Sequence, residues 1–246
     1  MRWDAIVRGG SVVTPEGVVR ADLAIADGRI AELAPEIAGA AGEEIDGVGC
    51  HLLPGLIDPH VHFNDPGRAD WEGLATGSAA IAAGGGTLFI DMPLNASPPT
   101  LDAASFDAKL AAARGVSRTD FGFWGGLVPG NVGRLPELAD RGVVGFKAFM
   151  SGSGIDDFQS VDDATLWRGM QVAADLGLPV LVHAENDVLT AALASEAVAA
   201  GRTGVRDYLA SRPVVAELEA IGRAIALAAD TRCPLHVVHV SSGAGV

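Results

Sequence analysis

Over the first fifty residues, short apolar segments alternate with turn residues. Ala5–Val7, Ser11–Val13 and Asp22–Ile25 read as strands, with Ile30–Leu33 and Glu43–Ile45 as further short ones. Gly9-Gly10, Pro15-Glu16-Gly17 and Asp27-Gly28 read as the turns between them, since these residue types suit tight hairpin connections. The pattern predicts a small β layer over residues 1–50, too small to stand as a domain alone. From residue 51 the rhythm changes. Apolar runs at Leu52–Asp58, Thr87–Met92, Asp120–Trp124, Val143–Phe149, Pro179–His183 and Leu235–Val240 alternate with longer stretches. The predicted helices are Glu72–Ala83, Leu101–Arg114, Pro136–Asp140, Asp162–Leu176, Asp187–Ala200 and Val214–Ala229. Repeated strand–helix units predict a parallel sheet with helices outside, and continuous apolar strands fit a sheet buried on both faces.

Two α/β architectures use such units. No G-x-G-x-x-G opens a helix after the first strand, which argues against a doubly wound, dinucleotide-binding sheet. A (β/α)8 TIM-type barrel takes about 250 residues, whereas residues 51–246 carry six predicted strands. If the fold is a barrel, it is short by two strands.

Charge narrows the partners. Lys and Arg number 17 against 31 Asp and Glu, a formal net charge of −14. Nucleic-acid binders present basic faces, so neither a nucleic acid nor an anionic membrane surface is expected. There is no long apolar run and no signal-peptide pattern at the N-terminus, and a cytoplasmic protein is expected. Cys50 and Cys233 are too few for a disulfide framework and fit a reducing compartment. Only two residues are lysines, Lys109 and Lys147.

The six histidines are where chemistry concentrates. His60 and His62 follow the first apolar run, and positions i and i+2 of an extended chain share a face. His183 ends the fifth predicted strand and His239 lies near the end of the sixth. In a barrel these four converge on the carboxyl-terminal rim, where barrel active sites are built. His51 and His236 are read as structural. Lys147 stands inside an apolar strand, where an unpaired ammonium is costly. Carbamylation by carbon dioxide would turn that amine into a carboxylate able to bridge two divalent metals. Imidazoles with a carboxylate suit zinc or a similar first-row metal. The chemistry such a set supports is metal-assisted hydrolysis, of an amide in the simplest case.

These residues resemble the amidohydrolase superfamily, in its cyclic-amidase branch. Pro54-Gly55-Leu56-Ile57-Asp58-Pro59-His60-Val61-His62 is similar to the first-strand signature of dihydroorotases, hydantoinases and allantoinases. Gly145-Phe146-Lys147-Ala148-Phe149-Met150 resembles the carbamylated-lysine strand. Leu181-Val182-His183-Ala184-Glu185 and His236-Val237-Val238-His239-Val240-Ser241-Ser242 resemble the two later histidine strands. The resemblance implies a (β/α)8 TIM-type barrel over residues 51–246, truncated after six strands, with residues 1–50 as the N-terminal part of a small β-sandwich-like satellite domain. Within the branch, His62-Phe63-Asn64-Asp65-Pro66-Gly67-Arg68, Trp71-Glu72-Gly73 and Asp91-Met92-Pro93-Leu94-Asn95 are most similar to allantoinases. Dihydroorotases usually carry arginine where this chain has Asn64, and allantoin has no carboxylate for an arginine to hold.

The resemblance implies two divalent metals, zinc by default, on His60, His62, Lys147, His183 and His239, with a carbamate on Lys147. It implies Asn64 and Asn95 near the substrate, a small cyclic ureide opened to its linear acid (allantoin to allantoate), and a homotetramer. It also implies a general-base aspartate beyond Val246, so the catalytic residue is not among these 246 and little turnover is expected of them alone. Two other readings stay open: a dihydroorotase or hydantoinase (dihydropyrimidinase), and a non-catalytic amidohydrolase-like partner subunit.

Overall fold

A computed structural model describes residues 2–246, and the chain divides after Leu56 into two units. In the first, β1 (Arg2–Thr14) is one continuous strand, so Gly9-Gly10 is not the expected turn. It is a bulge instead. Pairing of β1 with β2 (Gly17–Ala26) shifts register between Val7 and Gly10, and Gly9 takes φ +63°, which glycine adopts without strain. Turns at Pro15-Glu16 and Asp27-Gly28 join β1, β2 and β3 (Arg29–Ala34) as an antiparallel set. β4 (Ala40–Asp46) and β5 (His51–Leu52) run parallel to β1. Trp3, Ile6, Ala24 and Ile37 form the core. Beside the bulge, buried Asp22 accepts from Gly9 N at 2.8 Å, Arg8 Nη1 at 2.9 Å and Ile37 N at 3.1 Å. The Arg8 guanidinium holds its carboxyl below the usual range.

The second unit is mixed α/β. In chain order its elements are β6 (Leu56–Val61), α1 (Leu74–Ala83), β7 (Gly86–Asp91), α2 (Ala103–Ala113), β8 (Asp120–Phe123), β9 (Gly125–Gly126) and α3 (Leu135–Arg141). Then come β10 (Phe146–Phe149), α4 (Asp163–Asp175), β11 (Val180–His183), α5 (Asp187–Ala199), α6 (Val205–Ala210), α7 (Val214–Thr231) and β12 (Leu235–Val237). The expected strand at Leu52–Asp58 is split: Leu52 ends β5, and β6 starts after Pro54-Gly55. The expected strand at Val143–Phe149 begins only at Phe146, after Gly145 takes φ +155° against the Pro179 carbonyl. α6 is an addition to the sequence expectation.

The strands follow one another without reversal. One sheet has the order β6-β7-β8 and another β9-β10-β11-β12. Only Trp124 separates β8 from β9, and backbone bonds cross that break. Trp124 N donates to Asp91 O at 3.0 Å, and Val144 N donates to Phe123 O at 3.1 Å. Six passes thus lie in chain order, parallel within β7–β8 and within β9–β12, unlike a doubly wound sheet, where order reverses.

Alternation along each strand sorts two apolar layers. Val61, Phe89, Phe123, Phe146, Ala148, Val180 and Val182 pack with the helices. Leu181, Trp124, Met92, Phe158 and Val238 form a second cluster, against which Phe149 packs. Burying a side chain such as Phe89 contributes about 1.5–3 kcal/mol. The helices begin where short polar side chains satisfy free amides. Asp102 accepts from Ser105 N at 2.8 Å, Asp162 from Thr165 N at 2.6 Å and Asn186 from Leu189 N at 3.0 Å. Both cysteines are free. No helix among the described residues is long and apolar enough to cross a membrane.

Candidate metal centre

His60 lies within β6 and His62 just past its end. Between and after them, Val61 and Phe63 enter the helix-side core, which leaves the two imidazoles on the opposite side. The segment is pinned to β7: Met92 N donates to Val61 O at 2.8 Å and Phe63 N to Asp91 Oδ1 at 3.0 Å. Trp124 Nε1 holds Pro59 O at 2.8 Å. His183 is the last residue of β11. β12 ends before His239, which takes φ 41°, a conformation uncommon for a residue with a Cβ.

These elements draw the rings together. Ring centroids are 5.5 Å apart for His60–His62, 5.4 Å for His60–His239 and 4.8 Å for His183–His239. Burial pushes all four imidazoles below their ordinary pKa, His60 and His239 to about 4. They are neutral at pH 7 and keep a lone pair to offer. The Lys147 charge acts on every one of the four. Lys147, from β10, is 1% exposed and its Nζ has no hydrogen-bond partner. The Phe149 ring lies 4.9 Å from it. Burial pulls its pKa down to about 7.

Among the described residues, no three histidine, cysteine, aspartate or glutamate side chains by themselves converge closely enough to hold a metal. The further group whose charge bears on all four imidazoles is Lys147. The donor set still fits metal ions on two observations. His183 Nδ1 and His239 Nε2 face each other at 3.4 Å, and two nitrogens bound to a tetrahedral zinc at its usual bond length stand about 3.3–3.4 Å apart. The orphaned Lys147 amine is the second, because a buried polar group without a partner calls for one.

Asn64 and Asn95 both take left-handed backbone, φ 63° and 71°. Asn64 is buried and its Oδ1 has no partner. The Asn95 amide touches His62 Nδ1 at 3.4 Å. His51 and His236 are exposed, on β5 and β12. Three residues that the sequence reading leaves unassigned adjoin the cluster. Asp91 and Lys109 form a buried pair at 2.8 Å beside the His62 segment. Glu185 Oε2 meets His183 Nε2 at 3.0 Å. Asp91 in an apolar strand and Lys109 as one of two lysines mark each residue singly, but nothing along the chain pairs them. A cavity of about 270 Å³ beside His183 and His239 is lined also by Glu185, Arg212, Glu217 and Ser242.

The sequence model of the Amidohydrolase family matches residues 51–237. This chain belongs to the amidohydrolase family. Among curated amidohydrolases, it is 62% identical to the allantoinase of Rubrobacter xylanophilus, covering 99% of this chain and 54% of that protein. It is 54% identical to the allantoinase of Deinococcus radiodurans, covering 100% of this chain and 55% of the relative. The chain spans about half the length of the curated relatives it matches. Among solved amidohydrolase structures, the L-hydantoinase (dihydropyrimidinase) from Arthrobacter aurescens superposes with a TM-score of 0.92 at 36% identity, over 99% of this chain and 54% of that one.

Proposed function

We propose that this chain carries the metal-binding strands of a cyclic amidohydrolase that opens allantoin to allantoate. The observation behind the reading is Lys147, a buried and unpartnered amine whose charge bears on all four clustered imidazoles. His60, His62, Lys147, His183 and His239 would hold two divalent ions, zinc by default. When bound, such ions polarise a carbonyl and lower the pKa of water. On the same reading, residues 1–50 form a satellite domain and residues 51–246 strands of a (β/α)8 barrel.

The chain's own residues prepare that site. Burial leaves the Lys147 amine largely able to shed its proton near neutral pH. Its nitrogen lone pair adds to the carbon of carbon dioxide, and one N–H proton leaves to solvent. The product is a carbamate, an anion where a bare ammonium finds no partner. Neutral imidazoles add no charge to repel a cation. Asn64 Oδ1 offers an acceptor to a ring N–H of an uncharged ureide, and Asn95 steadies His62 at the substrate's edge. The choice of allantoin rests on the allantoinase relatives and on Asn64, a neutral side chain where a carboxylate-bearing substrate would need a cation.

The hydantoinase likeness in three dimensions supports a second reading, a dihydropyrimidinase-type substrate. The test loads the protein with zinc in ¹³C-bicarbonate. A carbamate carbon signal, present in the native chain and absent in Lys147→Ala, is expected, together with zinc by elemental analysis. Allantoin is expected to be preferred over dihydroorotate and hydantoin in binding or ring opening. Native protein without bound metal or carbamate would sink the proposal and favour a non-catalytic partner subunit.

A further inference from the structure

We propose that Glu185 is a positioning residue that selects the tautomer of His183, and that Arg212 holds Glu185 in place to do so. The inference rests on the reading of His183 as a metal ligand. One carboxylate oxygen, Glu185 Oε2, collects three donors. These are Arg212 Nη1 at 2.8 Å, His183 Nε2 at 3.0 Å and Ser151 Oγ at 3.4 Å. An ionised carboxylate only accepts. The single proton of a neutral imidazole is therefore required on Nε2, which leaves Nδ1 with its lone pair. Nδ1 is the atom that faces His239 Nε2 at 3.4 Å. A proton on Nδ1 instead would occupy the position where a metal has to bind.

Arg212 supplies what Glu185 lacks, a fixed place. Glu185 sits only two residues beyond the histidine and would otherwise be free to swing toward the cation itself. The Arg212 guanidinium lies over the Tyr208 ring at 4.9 Å, so its fork is oriented by α6 before it reaches the carboxylate. The short helix α6 and the turn into α7 thereby acquire a role. They carry the arginine that aims the glutamate that orients the ligand. Partners of this kind commonly set ligand orientation at metal centres, and their loss typically weakens metal binding about 10–100-fold.

Protein labelled with ¹⁵N-histidine, studied metal-free at neutral pH by long-range proton–nitrogen correlation, reads the tautomer directly. The His183 signals are identified by their loss in His183→Asn. Native protein is expected to carry the proton on Nε2. Glu185→Gln presents an amide that can donate as well as accept, and is expected to give a mixture of tautomers. Its zinc dissociation constant is expected to rise about 10–100-fold, with an unfolding midpoint close to native. Arg212→Met is expected to fall between the two. A native His183 protonated on Nδ1 would overturn the proposal. So would a Glu185→Gln protein with unchanged tautomer and unchanged zinc affinity. If native protein binds no zinc yet shows the Glu185-dependent tautomer, the metal reading fails and the positioning role stands.

Discussion

Two lysines, each 1% exposed, have opposite surroundings. Lys109, on α2, stands 2.8 Å from Asp91 Oδ2 and donates to Met92 O at 2.6 Å. Lys147, on β10, has no polar partner at all, only the Phe149 ring 4.9 Å away. The difference is in what each residue can do with its charge. A buried ammonium keeps its proton when a counter-ion is buried with it, and tends to surrender the proton when none is. Lys109 has its counter-ion at hand and ties α2 to the end of β7. Through Asp91 Oδ1, which accepts from Phe63 N at 3.0 Å, it also steadies the segment that presents His62. Lys147 is left as an amine with a free lone pair.

Removing each lysine should therefore act in opposite directions. Lys109→Met strips the counter-ion from a fully buried carboxylate, and is expected to cost about 3–5 kcal/mol. Urea unfolding at pH 7 measures it, and a loss under about 1 kcal/mol would break the comparison on that side. Lys147→Met in metal-free, carbon dioxide-free buffer is expected to stabilise the fold by about 1–4 kcal/mol, as apolar replacements of buried charges often do. The sign follows from linkage. The folded pKa is about 7 against 10.5 for the ordinary amine, so between these values the unfolded chain binds more protons. Native stability then rises with pH across that window. The advantage of Lys147→Met should be full below pH 7, decline as pH rises from 7 to 10.5, and be gone above that. An advantage independent of pH would mean that the amine is not the group being relieved.

Much of this contrast can be read along the chain, but only one side of it. Lys147 stands out because a lysine inside Val143–Phe149 breaks an otherwise apolar run, which is a local signal. His60, His62, His183 and His239 stand out at the ends of apolar runs for the same reason. The Lys109–Asp91 pair is invisible to such reasoning. Its members lie on a helix and a strand, and only the packing of α2 on β7 makes them neighbours. Helix starts are legible where Asp102, Asp162 and Asn186 cap free amides. α6 is not, since Val205, Tyr208 and Leu209 are all largely exposed and no apolar face marks it. The bulge at Gly9 and the late start of β10 escape for a related reason. Glycine marks a change in backbone direction without saying whether the strand turns, shifts register or simply begins later. Which nitrogen of His183 carries the proton turns, on the proposal above, on Glu185 and Arg212, brought together from β11's end and the α6–α7 turn.

Asn64 gives the finest test of the same idea, because it is a second buried polar group without a partner. Its Oδ1 is unsatisfied and its backbone is left-handed, φ 63°. An unpaired buried acceptor costs about 1–3 kcal/mol, and glycine accepts this φ while adding chain entropy to the unfolded state. Asn64→Gly is therefore expected to stabilise the metal-free protein by about 1 kcal/mol or less, read from the urea midpoint. Unlike Lys147, an amide has no proton to give up near neutral pH, so its cost cannot be relieved by titration. The small gain from Asn64→Gly should be flat from pH 7 to 10, where the gain from Lys147→Met declines. A destabilised Asn64→Gly would show that Oδ1 already has a partner, and would leave Lys147 as the one group at this site held ready for something the protein itself does not supply.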